Sequence, residues 1–394
     1  MNIVKELKPT YFDDFKCIGS ECEDTCCAGW NIGIDKKSFK KYRKETNPNL
    51  KSLLQKNVSR NRQATSDYHY GQFKMDDQDK CSMLNEENLC TIQLTSGEEA
   101  LCHTCTIYPR SAKSINDSIE KSLDTSCPEA ARLILLNPNG IDFVEVEPEL
   151  PKYNFAQHRQ SDEQNQYFWA NRMFMISALQ HRVHPLEVRL IVIGLYVKKL
   201  EELEPAERFV QAQTLSSQYL AYLDDANITD LTTQIKPNYD FQKALTLFFL
   251  KDFSARSSRF NQLASCTFDE VNFGDSTESF AQSLLNYKTQ YDQSELLQIA
   301  LENYLVNLTF AEYNESKEDI ISFYTLLITN FSLIRLLFIG NGHKFSYTNE
   351  EIVATIQIFS KSCLHNTTYI NNVKKIISTK QYSQTSQTIN LINI

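Results

Sequence analysis

The chain has little glycine and little tryptophan, 10 and 2 residues in 394. Its glycines are scattered, and no G-x-G-x-x-G follows a strand-like run. The phosphate-turn signature of an ordinary doubly wound cofactor-binding fold is therefore missing. Gly340-Asn341-Gly342 alone does not replace it. Positive charge is also short: 40 basic against 49 acidic side chains leave a formal charge of −9. That balance argues against a sequence-independent grip on nucleic acid or anionic lipid, so neither is expected as a partner. The opening MNIVKELKPTYFDDF reaches an acidic residue by position 6 and has no apolar run of signal-peptide length, so a cytoplasmic location is expected. The longest apolar stretch, 321–340, holds one charge, Arg335, and is interrupted by Ser322, Thr325, Thr329, Asn330 and Ser332. A charge at that depth costs a few kcal/mol in a bilayer. The stretch reads as a central helix of a soluble body, not a membrane span.

Cysteine, by contrast, is abundant. There are 11, of which Cys17, Cys22, Cys26, Cys27, Cys81, Cys90, Cys102, Cys105 and Cys127 fall in the first third, leaving Cys266 and Cys363 beyond it. In a reducing compartment clustered thiols bind metal or do redox chemistry more often than they form bridges. A bridge between the neighbours Cys26 and Cys27 would strain the peptide between them. The spacings are C-x4-C-x3-C-C at 17–27, C-x8-C at 81–90 and C-x2-C at 102–105, with Cys127 followed by proline. Thiolates are soft ligands suited to zinc, copper(I) and iron–sulfur clusters. A zinc ribbon would show two C-x2-C knuckles, and only one is present. The C-x3-C-x2-C pattern of radical S-adenosylmethionine enzymes fails at its third position, Gly29. His69 and His103 are further candidate ligands, although a lone histidine is more often an ordinary polar residue.

The 42 % hydrophobic and 23 % charged content is that of a globular chain, long enough for two or three domains. The acidic excess falls almost entirely after residue 127. The expected fold is mainly α. A cysteine-rich, metal-binding N-terminal module of short helices and irregular segments (1–136) leads through a connection (137–155) to an all-helical C-terminal domain (156–394). Within the connection, Phe143 to Val146 reads as a short strand bounded by prolines. Pro185 opens a helix with Leu186, Leu190, Ile193, Val197 and Leu200 on one face. More helices are expected at 206–223, 240–253, 277–291, 294–312, 317–339, 349–363 and 367–379, with Ser316 and Asp319 resembling a capping box. In the module, helices are expected to begin at Ser38, Asn49 and Pro128. The tail SQTSQTINLINI is polar and is expected to be loosely ordered.

The segments FKCIGSECEDTCCAGWNIGIDK (15–36), CSMLNEENLCTIQ (81–93), TCTIYPR (104–110) and SCPEAARLILL (126–136) together resemble the flagellin lysine-N-methylase family. The cysteine order is also similar to that of small bacterial zinc- or iron-chelating proteins. The resemblance implies methyl transfer from S-adenosylmethionine to lysine side chains of flagellin, assisted by an iron–sulfur centre, a 4Fe-4S cluster before zinc. By position it implies Cys17, Cys22, Cys26, Cys27, Cys81, Cys90, Cys105 and Cys127 as ligands, enough for two four-cysteine centres or one centre with further structural thiols. Two departures stand out: Cys81-Ser82-Met83-Leu84 where the family tends to have Cys-Pro-Phe-Leu, and the extra Cys102.

From the residues themselves, Arg110 is a candidate clamp for a carboxylate such as that of the methyl donor. Glu129 is a candidate to receive a lysine or to orient a ligand. An arginine–glutamate tie within the metal region explains both more simply. Trp30, Tyr11 and Phe15 read as core residues. The competing function is a non-catalytic metal-binding or redox-sensing protein whose helical part is a docking surface.

Overall fold

A computed structural model of the chain describes residues 5–393, apart from 65, 78–79, 149–155, 159, 255–257, 271–275, 315–318, 343, 345, 367, 370 and 374–383. The strands are β1 (Lys5–Pro9), β2 (Gly33–Ile34), β3 (Val58–Arg60), β4 (Gly71–Phe73), β5 (Arg110–Ile115), β6 (Ser118–Leu123), β7 (Phe143–Val146) and β8 (Ala156–His158). The helices of the N-terminal third are α1 (Lys36–Arg43), α2 (Pro48–Asn57), α3 (Thr91–Ser96), α4 (His103–Ile107) and α5 (Pro128–Leu135). Then follow α6 (Asp162–Leu179), α7 (Leu186–Glu201), α8 (Pro205–Leu223), α9 (Leu231–Gln234), α10 (Tyr239–Ser254), α11 (Ser258–Glu270), α12 (Thr277–Gln293), α13 (Glu295–Glu312), α14 (Ile320–Gly340) and α15 (Asn349–Cys363). A last helix, Gln384–Ile389, lies near the end of the chain.

The fold is mainly α, but the N-terminal third contains more strand than its punctuated sequence suggests. Five strands form a mixed sheet in the order β7-β1-β6-β5-β8, and β2-β4-β3 form a second, antiparallel sheet. β5 and β6 make a hairpin through Asn116-Asp117, with Asn116 in the left-handed region (φ 52°) that asparagine tolerates. The alternation that would announce β6 is hidden, because Glu120 and Lys121 are buried beside its apolar residues. Glu120 takes a bidentate contact from Arg172 at 2.8 and 2.5 Å and lies 3.4 Å from Lys113. Lys121 pairs with buried Glu6 at 2.8 Å. Partnered charge thus replaces apolar surface on this strand.

Helix starts follow local capping chemistry. Asp35 accepts from Ser38 N–H, and Asn47 caps α2 ahead of Pro48. Ser161 with Gln164 and Thr348 with Glu351 form complete capping boxes. At α14, Asp319 is itself the N-cap, accepting from Ile321 and Ser322, while Ser316 and most of the helix expected at 367–379 lie outside the described residues.

Two apolar cores result. The larger gathers the faces of α5 to α15 together with Tyr11, Phe15, Ile115, Leu123 and Cys127. The smaller holds Ile32, Ile34, Phe39, Tyr42, Leu50, Leu54, Phe73, Met83 and Ile92 with several cysteines. The apolar helix α14 is mostly buried in the larger core. The chain end is not loose: Leu391 and Ile392 are buried, and Arg335 of α14 donates to their carbonyl oxygens.

Candidate functional site

The cysteine loop 17–31 is held against the helical body by Asp24. Its Oδ1 lies 2.9 Å from Lys361 Nζ, and its Oδ2 lies 3.2 Å from Arg259 and accepts from Gln357 Nε2 at 2.8 Å. Lys361 also donates to Thr25 O, and Gln357 to Ser126 O. α11 and α15 thereby grip the loop that carries four thiols.

Two cavities share walls at this junction. One of about 1340 Å3 is lined by Cys22, Asp24, Trp30, Arg259, Lys361 and His365 among others. The other, about 210 Å3, is lined by Trp30, Tyr108, Arg110, Asp124, Lys361 and His365 among others. The Trp30 ring centroid is 5.8 Å from that of Tyr108 and 6.4 Å from that of His365, the latter nearly parallel. Trp30 Nε1 donates to Cys26 O at 2.7 Å, fixing the indole over the thiol loop. His365 Nε2 lies 3.0 Å from Ser126 Oγ and 3.2 Å from Asp124 Oδ2, and Tyr108 OH lies 2.9 Å from Ser126 Oγ. The hydrogen bond to Asp124 pushes the His365 imidazole above its ordinary pKa, with burial opposing.

All eleven cysteines are free thiols. Several of those in the first third act on one another, and Cys17 is exposed outside both cores. A hydrogen bond between Cys26 and Cys27 pushes the Cys26 thiol well up. Burial pushes Cys81 up to about 12, with Cys90, Cys102 and Cys26 adding to it, and Cys127 likewise to about 12, with Cys22 and Cys26 adding to it. The Cys102 and Cys105 sulfurs are 3.6 Å apart; their hydrogen bond lowers Cys102 and raises Cys105. Soft, partly buried thiols are the donor type that a thiophilic metal takes. Among the described residues, however, no three His, Cys, Asp or Glu side chains stand close enough together to hold a metal ion.

The other candidates divide. Arg110 opens β5, lies over the Phe15 ring at 4.8 Å and lines the smaller cavity. Glu129 is in α5, pairs with Arg132 at 2.5 Å and lines neither cavity. Arg132 also reaches Glu23 of the cysteine loop, so the arginine–glutamate tie exists but uses Arg132 in place of Arg110. Tyr11 and Phe15 are core residues as expected; Trp30 is half-buried, packs against the smaller core and also walls the cavities. The backbone N–H of His103 donates to Asp35 at 2.9 Å, and its ring lies beside Tyr68. Cys363 is a buried core thiol; Cys266 is only half-buried and accepts from Lys344. Asp24, Lys361, Asp124 and His365 join the site only in the folded chain. None of them carries a local spacing signal, since each meets its partner only through the fold.

Residues 172–391, more than half of the chain, match the family described as the FliB lysine N-methylase C-terminal domain. The chain belongs to the FliB lysine N-methylase family. It is 32 % identical over 159 residues to the flagellar biosynthetic protein FliU of Salmonella muenchen, an alignment covering 40 % of this chain and 89 % of that protein. It is also 32 % identical over 142 residues to the lysine-N-methylases of Salmonella typhimurium (strain LT2) and Salmonella choleraesuis. Those alignments cover 36 % of this chain and 35 % of each methylase, so it spans about a third of their length. No solved structure matches the chain. The FliB match lies in the helical body, which includes both α11 and α15 that grip the cysteine loop.

Proposed function

We propose that this FliB-family chain methylates lysine side chains of flagellin in the cytoplasm, with S-adenosylmethionine as donor and an iron–sulfur centre beside the site. Membership in a lysine N-methylase family carries the reading. In the transfer, the lysine nitrogen forms a bond to the methyl carbon while the sulfonium sulfur releases it as a thioether. The ammonium must first lose its proton.

The larger cavity, about 1340 Å3, has room for a nucleoside-sized donor. The smaller, about 210 Å3, has room for one side chain. Trp30, Lys361 and His365 border both, which makes their shared wall the candidate place for the two reactants to meet. Arg110 remains the candidate for the donor carboxylate. Glu129 is better placed to steady the loop through Arg132 than to touch a substrate. The resemblance assigns the metal to Cys17, Cys22, Cys26, Cys27, Cys81, Cys90, Cys105 and Cys127. When bound, an iron–sulfur centre supplies redox or Lewis-acid chemistry; what Asp24 holds against the cavity is the cysteine loop itself, whose thiols are not gathered into a metal-holding group among the described residues.

The test is incubation of anaerobically purified protein with flagellin and methyl-labelled donor, followed by peptide mass spectrometry. Label on flagellin lysines is expected. Absence of label with a full metal complement would reject the methylase reading in favour of a metal-binding partner protein.

A further inference from the structure

Nε2 of His365 lies 3.2 Å from Asp124 Oδ2 and 3.0 Å from Ser126 Oγ. Asp124 follows β6, and its Oδ1 accepts from the Ser126 N–H at 2.8 Å. Burial opposes ionisation of this carboxyl, but its bonds to His365 and Ser126 outweigh burial and hold it below the usual aspartate range. An ionised carboxylate can only accept, so Nε2 of His365 carries the hydrogen. The tautomer is thereby set. The lone pair is on Nδ1, for which the described residues offer no hydrogen-bond partner. The ring stacks on Trp30 and stays exposed at the wall common to both cavities. A carboxylate behind an imidazole whose second nitrogen is open is the arrangement of a general base. The smaller cavity suits what such a base would serve. Ile107, Tyr108, Pro109 and Trp30 give it apolar wall, with Asp124 and His365 as polar members. Its volume of about 210 Å3 takes one long side chain with an apolar stem and a polar end. Apolar walls disfavour the ammonium form of a bound lysine, and the Lys361 ammonium, which borders the same cavity, disfavours it further. Both bring the proton affinity of the amine closer to that of an imidazole.

We propose that Nδ1 of His365 takes the proton of the target lysine in the smaller cavity, and that Asp124 is its positioning residue. The assignment deepens the methylase reading above and rests on it. The amine proton passes to Nδ1. The nitrogen lone pair then forms the bond to the methyl carbon as the carbon–sulfur bond breaks, its electron pair staying on sulfur in the thioether. The imidazolium releases its proton to water at its exposed edge. An arginine in the same cavity would keep its charge, because a guanidinium is not deprotonated in proteins. The site therefore selects lysine over arginine by proton removal as well as by shape. The charged groups that face the imidazole are Asp124 after β6, Lys361 in the last turn of α15 and Glu312 at the end of α13. Tyr108 and Arg110 stand in the wall of the smaller cavity, and Asp24 and Arg259 in that of the larger. Of all these, Asp124 has the largest effect on the imidazole, and it favours the protonated ring.

The experiment measures initial rates of label transfer from S-adenosylmethionine to flagellin as pH rises from about 5.5 to about 9. Full-length wild type, His365→Gln and Asp124→Asn, all purified without oxygen, are compared. In wild type, kcat/KM for flagellin should rise through one ionisation above the ordinary histidine value of about 6.5. Asp124→Asn should move that limb to lower pH. His365→Gln should lose the limb and at least about a hundred-fold in kcat/KM, with the KM for the donor unchanged. Wild type that labels no flagellin at any pH overturns the methylase reading, and this assignment with it. Label from wild type together with undiminished rates, or an unchanged limb, in His365→Gln overturns the base alone. Should His365→Gln fail to fold, Asp124→Asn still decides: a limb that stays in place or moves to higher pH overturns the proposal.

Discussion

Asp24 and Lys361 are 337 positions apart in the chain, and their charged atoms are 2.9 Å apart in the fold. With Gln357 and Arg259, this contact is the described polar clasp between the cysteine loop and helices α11 and α15. Asp24→Ala leaves Lys361 partly buried with only the Thr25 carbonyl in reach, a loss on the order of 2–3 kcal/mol. Hydrogen exchange in residues 17–31 should accelerate at least ten-fold while α13 and α14 stay protected. Unchanged exchange in the loop would show that the clasp does not hold it.

The buried carboxylate of Glu120 makes stability depend on acid. Burial opposes its ionisation, but Arg172 and Lys113 together outweigh burial and hold the carboxyl below the usual glutamate range. Its stabilising contribution is therefore present above the unfolded value of about 4.3 and is lost as pH falls through the folded value. Urea unfolding of wild type should weaken below about pH 4.3. Glu120→Gln should be less stable by about 3 kcal/mol at neutral pH, with a flatter acid limb. Parallel acid limbs for the two proteins would assign the pH dependence to other groups.

The shared wall of the two cavities gives a prediction for activity. His365→Ala removes one ring beside Trp30 and leaves Asp124 and Ser126 without their imidazole partner. Methyl transfer to flagellin should fall at least ten-fold, with metal content unchanged. In a Trp169→Phe background Trp30 is the sole indole, so S-adenosylhomocysteine should shift its emission saturably. A flat fluorescence titration would remove the donor from this cavity.

The sequence made the helical body legible where periodicity and caps coincide, as at Pro185–Leu200 and Thr348–Cys363. It placed the strand β7, Phe143–Val146, at its observed bounds. The hairpin β5–β6 was not legible, because charges meant for Arg172 and Glu6 interrupt its apolar pattern. α6 was missed although Ser161 and Gln164 spell its capping box. The cysteine cluster stood out by composition, but the acidic and basic residues that dock it come from both ends of the chain. Such long-range pairs have no signature in a single sequence. The family, too, is visible from two sides: the cysteine segments suggested it, and the FliB match covers the motif-poor body.

The chain end rests on Arg335, and two different substitutions should release it. Arg335 is buried in α14, lies over Phe331 at 4.9 Å and donates to the carbonyls of Leu391 and Ile392. Arg335→Met keeps the apolar stem and removes a costly buried charge, but it strands two carbonyls at about 1–3 kcal/mol each. Gly194 in α7 approaches both this segment and α14: a Cβ there would overlap the Tyr324 hydroxyl and stand 2.7 Å from Ile389 Cγ1. Gly194→Ala should therefore displace the Tyr324 contact and the terminal helix together, at a cost of about 1–3 kcal/mol. In Arg335→Met hydrogen exchange should quicken in residues 384–393 before it changes in α14, because the tail can detach while the body stays packed. If α14 and the tail instead lose protection together, the tail is an integral part of the core and not an element latched onto it.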